Sequence, residues 1–231
     1  MSDADSLGFH ERAVLAGNTL VVADLHLGRA RASAVEAPVG DGADVLDRLE
    51  SLLSAHDPET LVIAGDLLHS FDRVPRGVAD RLDDLRRAAR ESGTRPVVVP
   101  GNHDTMLDSV WAGPTTGAHR IDEETVVVHG HETPGIEAER YLLGHDHPTI
   151  EIEGVRRPCW LRGPGGPDGT EVVMLPAFTR FASGVAVNRM AAADFQSPLV
   201  RDADALAPVV WDADAGGALS FPPLGEFRHR L

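Results

Sequence analysis

The chain contains no lysine: all 21 of its basic residues are arginine, set against 36 aspartates and glutamates in 231 residues, for a formal net charge of −15. An acidic surface without lysine matches adaptation to high salt, where screening shortens the reach of like-charge repulsion to ~3 Å at 1 M. A GC-rich genome that favours arginine codons also removes lysine, but the acidic excess points to the halophilic reading. Cysteine is almost as scarce. The single Cys159 excludes an internal disulfide, a thiolate metal cluster and a redox pair, and it suits a reducing compartment. The opening Met1-Ser2-Asp3-Ala4-Asp5-Ser6 lacks the basic and apolar regions of a signal peptide. No apolar run approaches the ~20 residues of a membrane span. The expectation is a cytoplasmic protein with no membrane association and no internal repeat.

What is present is a series of short apolar runs that stop at polar clusters. The length suits one domain over residues 1–231 with a sizeable core. Gly17-Asn18 between residues 12–16 and 19–23 predicts a hairpin. Val45, Leu46, Leu49, Leu52 and Leu53 recur with helical period over residues 44–55, and Val78, Leu82, Leu85 and Ala89 give a second helix ending at Gly93. Strands at 60–64 and 95–99 follow these helices, which predicts parallel pairing with helices packed on the sheet. The second half reads as short strands at 118–121, 125–129, 140–143, 149–152, 171–175 and 184–188. From Ala191 to Leu231 alanine, aspartate and proline dominate. There Val209-Val210-Trp211 and Leu219-Ser220-Phe221 are candidate edge strands in a tail expected either to pack as a hairpin or to be partly mobile.

Five runs deliver chemistry at their ends. Leu20-Val21-Val22-Ala23 runs into Asp24-Leu25-His26, and Leu61-Val62-Ile63-Ala64 into Gly65-Asp66. Val97-Val98-Val99 runs into Pro100-Gly101-Asn102-His103-Asp104, Val126-Val127-Val128 into His129-Gly130-His131, and Tyr141-Leu142-Leu143 into Gly144-His145-Asp146-His147. Residues two apart in extended chain share a face, so Asp24 with His26, and His145 with His147, can chelate one ion or straddle two. With Asp66, Asn102 and His129 they make seven candidate ligands. Mixed imidazole, carboxylate and amide donors suit Mn2+, Fe, Co, Ni or Zn better than Mg2+ or Ca2+.

This order of motifs, at 24–26, 65–66, 101–104, 129–131 and 144–147, resembles the calcineurin-like metallophosphoesterase superfamily over roughly residues 20–189. The resemblance implies an α/β fold, a four-layer α-β-β-α sandwich of two mixed sheets flanked by helices. It also implies two divalent ions, Mn2+ first among the candidates. One would be held by Asp24, His26, Asp66 and His147, the other by Asp66, Asn102, His129 and His145, with Asp66 bridging. A bridged pair ~3.5–4 Å apart can hold a phosphate oxygen and a shared hydroxide. By the same resemblance that hydroxide attacks phosphorus, His103 is the general acid for the leaving oxygen, and Asp104 orients the His103 imidazole. The strings at 24–28, 65–70 and 175–180 are similar to small archaeal SbcD-related and bacterial DNA-ligase-associated phosphoesterases. That implies a DNA or RNA substrate and a helicase partner. The chain has no residues to spare for the DNA-capping domain of the larger SbcD-type nucleases, which leaves phosphodiester hydrolysis intact and puts duplex-end processing in doubt.

His69 and His131 are either further site residues, as supports for a ligand or as substrate contacts, or structural. Arg29, Arg31, Arg73 and Arg180 fall in loops that would surround the site, where arginine suits bidentate phosphate recognition. They are equally the solvated cations of a lysine-free surface. His10, His56, His119 and His229 match no motif and read as surface or packing residues. Three functions compete: hydrolysis of phosphodiesters in nucleic acid, hydrolysis of a small phosphodiester or phosphomonoester, and a non-catalytic interaction module. The acidic balance weighs against the first, because nucleic-acid affinity rests on basic contacts. The complete ligand set with His103 weighs against the third.

Overall fold

The turn at Gly17-Asn18 joins β2 (Ala13–Ala16) to β3 (Thr19–Val22), and β1 (Leu7–His10) pairs antiparallel with β2. The computed structural model describes residues 7–29, 43–69 and 72–228. Arg31, Ser70 and His229 lie outside them. β4 (Thr60–Ala64) and β5 (Arg95–Val99) extend the sheet in parallel with β3, in the order β1-β2-β3-β4-β5. Parallel neighbours need crossovers, and helices α1 (Ala43–His56) and α2 (Val78–Glu91) lie within them. α1 buries Val45, Leu49 and Leu53, and α2 buries Val78, Leu82 and Leu85, the faces their periodicity marks. These side chains pack on Leu20, Val22, Leu61 and Ile63, which point from one face of the sheet.

Alternation sends Val21, Ala23, Val62, Ala64 and Val99 to the opposite face, where they meet Val127, Leu142, Trp160, Val173 and Leu175 of a second sheet. That sheet contains β6 (His119–Arg120), β7 (Thr125–Val127), β8 (Arg140–Leu143), β11 (Trp160–Gly163), β12 (Glu171–Met174), β14 (Ala207–Asp212) and β15 (Gly217–Ser220). Its order is β15-β14-β11-β12-β8-β7-β6, with β12, β8 and β7 parallel. A small sheet of β9 (Pro148–Ile152), β10 (Val155–Pro158) and β13 (Val185–Ala186) stands beside it. The outer face of the second sheet is covered from the C-terminal third. Phe195, Leu199, Val200, Leu206 and Leu224 pack on Tyr141, Leu161, Val172 and Met174. 3₁₀ turns at Val187–Arg189 and Ala192–Asp194 and the one-turn helix α3 (Leu224–Phe227) belong to this layer. Two mixed sheets with helical layers outside them make the α/β sandwich.

Three strands escape the periodicity. β1 is half-buried throughout and shows no alternation. β10 and β11 flank Pro158 and Cys159, where the chain leaves the small sheet for the large one. A proline at a strand end removes a ladder donor and suits such a switch. Among the described residues no helix is long and apolar enough to cross a membrane. The consequence for function lies in the two parallel triplets. β3, β4 and β5 in one sheet and β7, β8 and β12 in the other end at a common edge, where backbone bonds join the two sheets' loops, Phe178 N–H to Ala23 O at 2.7 Å and Gly144 N–H to His129 O at 3.1 Å.

Candidate metal centre

Asp24 and His26 follow β3, Asp66 follows β4, Asn102 and His103 follow β5, His129 follows β7, and His145 and His147 follow β8. All are brought together. Ligand atoms of Asp24, His26, Asp66 and His147 lie within 4.8 Å of one another. His26 Nε2 is 3.3 Å from His147 Nε2, and His147 Nε2 is 3.2 Å from Asp24 Oδ1. Asp66 faces both ways: Oδ2 is 3.9 Å from His26 Nε2, while Oδ1 is 3.4 Å from His129 Nε2. On that second side Asn102 Oδ1 is 3.2 Å from His129 Nε2, and the His145 ring stands edge-on to His129 at 4.9 Å.

The donor set fits divalent transition-metal ions. Asp24 is fully buried, and its Oδ1 has only imidazole nitrogens as charged neighbours, His147 at 3.2 Å and His129 at 3.9 Å. A buried carboxylate so placed seeks a cation. Burial pushes the Asp24 carboxyl up, but His147, His129 and His26 together outweigh it and leave it below the usual range. Burial pushes Asp66 up, with the charge of Asp24 adding to the effect. His26 is pushed down to about 3 and His145 to about 4, in each case first by burial. Both are therefore neutral at ordinary pH and ready to donate a lone pair. His147 is also buried, yet Asp24 raises it above the ordinary histidine value.

The backbone is bent to bring these groups in. Asp24, His26, Asp66, His145 and His147 have φ of 56°, 46°, 48°, 75° and 49°, five of the nine non-glycine residues in the left-handed region among those described. Each costs of order 1–2 kcal/mol. Two motif glycines make room for the aspartates. A Cβ on Gly101 would lie 2.2 Å from Asp66 Oδ1, and one on Gly144 would lie 2.5 Å from Asp24 Oδ2.

His103 stands at the rim, with Nε2 3.8 Å from Asp66 Oδ2 and its backbone N–H bonded to Asp66 Oδ1 at 3.0 Å. Its Nδ1 is 3.0 Å from the backbone oxygen of His69. The expectation that Asp104 orients this ring is corrected. The Asp104 carboxylate accepts backbone N–H bonds from Leu68 at 2.8 Å, Gly101 at 2.9 Å and Leu67 at 3.2 Å. Buried among three donors, it ties the Asp66 loop to the Gly101 loop, and the His69 carbonyl takes the orienting role. The His69 ring itself stacks on His103 at 5.9 Å and meets His26 edge-on at 5.5 Å. His131 lies 5.2 Å from the His129 ring, on the other flank.

Arg29 is close enough for its charge to bear on His26, His69 and His147. Arg180 is exposed in a cleft that His147 also lines. Arg73 is exposed. His10 packs on His56 at 4.1 Å, and neither joins the cluster. Three supporting residues are not evident from the motifs. Asp146 is buried and accepts backbone N–H bonds from Gln196 at 2.8 Å and Ser197 at 3.0 Å, fastening the His145–His147 loop to the C-terminal third. Arg12 donates to Ala177 O at 2.6 Å and Thr179 O at 3.0 Å, and Arg48 donates to Phe178 O, so two guanidinium groups clamp the loop lying on Asp24. Arg48 carried a signal: it sits in the apolar stripe of α1, where a charge needs partners, and it finds Glu11 at 3.2 Å and Asp44 at 3.4 Å.

Comparison with known proteins agrees with this geometry. A family model for calcineurin-like phosphoesterases matches residues 17–176. The chain is similar to SbcD, the nuclease component of the SbcCD complex of Bacillus subtilis (strain 168), at 35% identity over 112 residues, which are 46% of this chain and 27% of that protein. It thus spans about a quarter of that relative's length. It is also similar to the crystal structure of the Pseudomonas putida nuclease MPE, with a TM-score of 0.63 and 25% identity over 91% of both chains.

Proposed function

Because the chain belongs to the calcineurin-like phosphoesterase family, we propose that it is a metal-dependent phosphodiesterase acting on nucleic acid. The observation that carries this reading is the convergence of the strand ends of both sheets on one cluster of carboxylate, imidazole and amide donors, with His103 at its rim. One divalent ion would be held by Asp24, His26, Asp66 and His147, and a second by Asp66, Asn102, His129 and His145. The mixed donors favour Mn2+. When bound, the ions supply Lewis acidity toward phosphate oxygens and an acidified water as nucleophile.

The chain's own residues do the rest. A carbonyl can only accept, so the His69 oxygen keeps the hydrogen of His103 on Nδ1 and turns Nε2 toward the cluster. In the protonated ring, Nε2 would pass its proton to the departing oxygen, an effect typically of ~10²–10⁴ in rate. Arg29 would meet a phosphate oxygen from the His26 side. The two relatives named above are both nucleases, which supports a polynucleotide substrate. The net charge of −15 supports a second reading, hydrolysis of a small phosphate ester.

A panel of labelled single-stranded DNA and RNA, duplex DNA and bis-p-nitrophenyl phosphate, with Mn2+ at high ionic strength, separates the two. The expected result is cleavage of a polymer, lost in Asp66→Ala. His103→Ala should keep its metal and slow esters with poor leaving groups more than activated ones. Turnover of the small ester with every polymer left whole would favour the second reading, and equal slowing across leaving groups would remove His103 as the acid.

A further inference from the structure

A basic trough opens from the His147 side of the cluster. Its first part is a cleft of about 210 Å³ lined by His147, Arg12, Arg156 and Arg180, with no carboxylate in its walls. A second cleft of about 270 Å³ shares Arg12, Pro158 and Arg180 with the first and continues to Arg157 and Trp211. Glu11 is the one acidic residue in it, and Glu11 is engaged by Arg48 at 3.2 Å. In a chain with 36 acidic residues against 21 arginines, such a concentration of arginine is not the expected surface. It also costs something: after burial, the charges of Arg48 and Arg180 help push Arg12 down to about 10.

The heads that matter are unspent. Arg156, Arg157 and Arg180 are exposed, and among the described residues none has a hydrogen bond or ion pair, whereas Arg81, Arg86, Arg87, Arg140, Arg162 and Arg228 are each matched with a carboxylate. The far flank of the cluster differs. Its cleft, lined by His129, His131 and Glu132, holds no arginine. Trp211 is half-exposed, while Trp111 and Trp160 are buried.

We infer that this trough carries the backbone of a single-stranded polynucleotide away from the metal cluster, with Arg180, Arg156 and Arg157 on successive phosphates and Trp211 as a stacking platform for a base. The inference rests on the nucleic-acid reading above and adds to it a path, a side of approach and a strandedness. Unpaired guanidinium groups bind phosphates with release of counterions, and stacking on an aromatic face is tolerant of sequence. The trough thereby reconciles an acidic protein with an anionic polymer.

The test is fluorescence anisotropy of a labelled 20-nucleotide single strand in EDTA, across a salt series. It compares wild type, the pair Arg156→Ser with Arg157→Ser, and a control pair on α2, Arg86→Ser with Arg87→Ser. Each lost phosphate contact should flatten the slope of log K against log salt by ~0.7. The trough pair should therefore lose about 1.4 in slope and at least roughly tenfold in affinity at low salt, with the control unchanged. In wild type the strand should quench tryptophan fluorescence through Trp211. Equal losses in both pairs, no loss in the trough pair, or duplex bound as tightly as single strand would overturn the inference. Wild type that cuts oligonucleotides without these effects sinks the trough alone. Wild type that neither binds nor cuts them, yet turns over bis-p-nitrophenyl phosphate, sinks the nucleic-acid reading with it.

Discussion

Replacing Gly101 by alanine adds one carbon at the most crowded point of the cluster. That Cβ would lie 2.2 Å from Asp66 Oδ1, 2.6 Å from the Asp66 backbone nitrogen and 2.8 Å from His129 Nε2. Ordinary contact needs roughly 3.5 Å, so the carboxylate must retreat by about 1 Å and the backbone by somewhat less. A side-chain tip could swing aside, but a backbone nitrogen cannot, and Asp66 is already held at φ 48° with Oδ1 bonded to His103 N–H. Overpacking of this kind costs ~1–3 kcal/mol, which lowers Tm by about 4–8 °C at the middle of that range for a chain of this size. The greater effect falls on function, because a ~1 Å misplacement can cost on the order of 10²-fold in rate. The assay is kcat/KM on bis-p-nitrophenyl phosphate with Mn2+, alongside bound metal per chain and thermal melting. Gly135→Ala is the control, since a Cβ there meets nothing within 4 Å. Gly101→Ala with full metal content and kcat/KM within threefold of wild type would refute the packing argument.

Asp104→Ala leaves three backbone N–H groups without their acceptor, at ~1–3 kcal/mol each. Melting should drop accordingly, while the pH limb of kcat assigned to the acid should stay in place, because the His69 carbonyl still holds the His103 ring. A shifted limb in a variant of unchanged stability would return Asp104 to the orienting role. Metal affinity should depend on pH through His147, whose pKa Asp24 raises, since the ion must displace its proton; His26 and His145, at about 3 and about 4, add nothing near neutrality. As pH falls below the His147 value, Mn2+ affinity should drop by roughly tenfold per unit, with one proton released on binding. Calorimetry in two buffers of different ionisation enthalpy reads that proton, and affinity flat from pH 5 to 7 would contradict the assignment.

Much of the first sheet was legible because its signals are local. Apolar periodicity placed α1, α2, β4 and β5 within a residue or two, and Gly17-Asn18 announced its hairpin. β1, β10 and β11 were not legible, since their pairing partners, not their own alternation, define them. Among the donors, the motifs at strand ends marked every residue that the structure brings into the cluster. They could not reveal Asp146, Arg12 or Arg48, whose partners lie 50, 165 and 130 residues away. They also misdirected Asp104, for adjacency in sequence to His103 is not adjacency of side chains when the chain turns between them.

The sequence by itself determined the donor chemistry, the order in which donors arrive, and the parallel strands that would carry them, because these follow from residue type and periodicity over a few turns of chain. Tertiary structure decided which of Asp66's oxygens faces which imidazole, that five donors sit on left-handed backbone, and that arginines far apart in the chain line one trough. Those outcomes depend on packing two sheets face to face, and contacts between residues a hundred or more positions apart leave no local trace from which to read them.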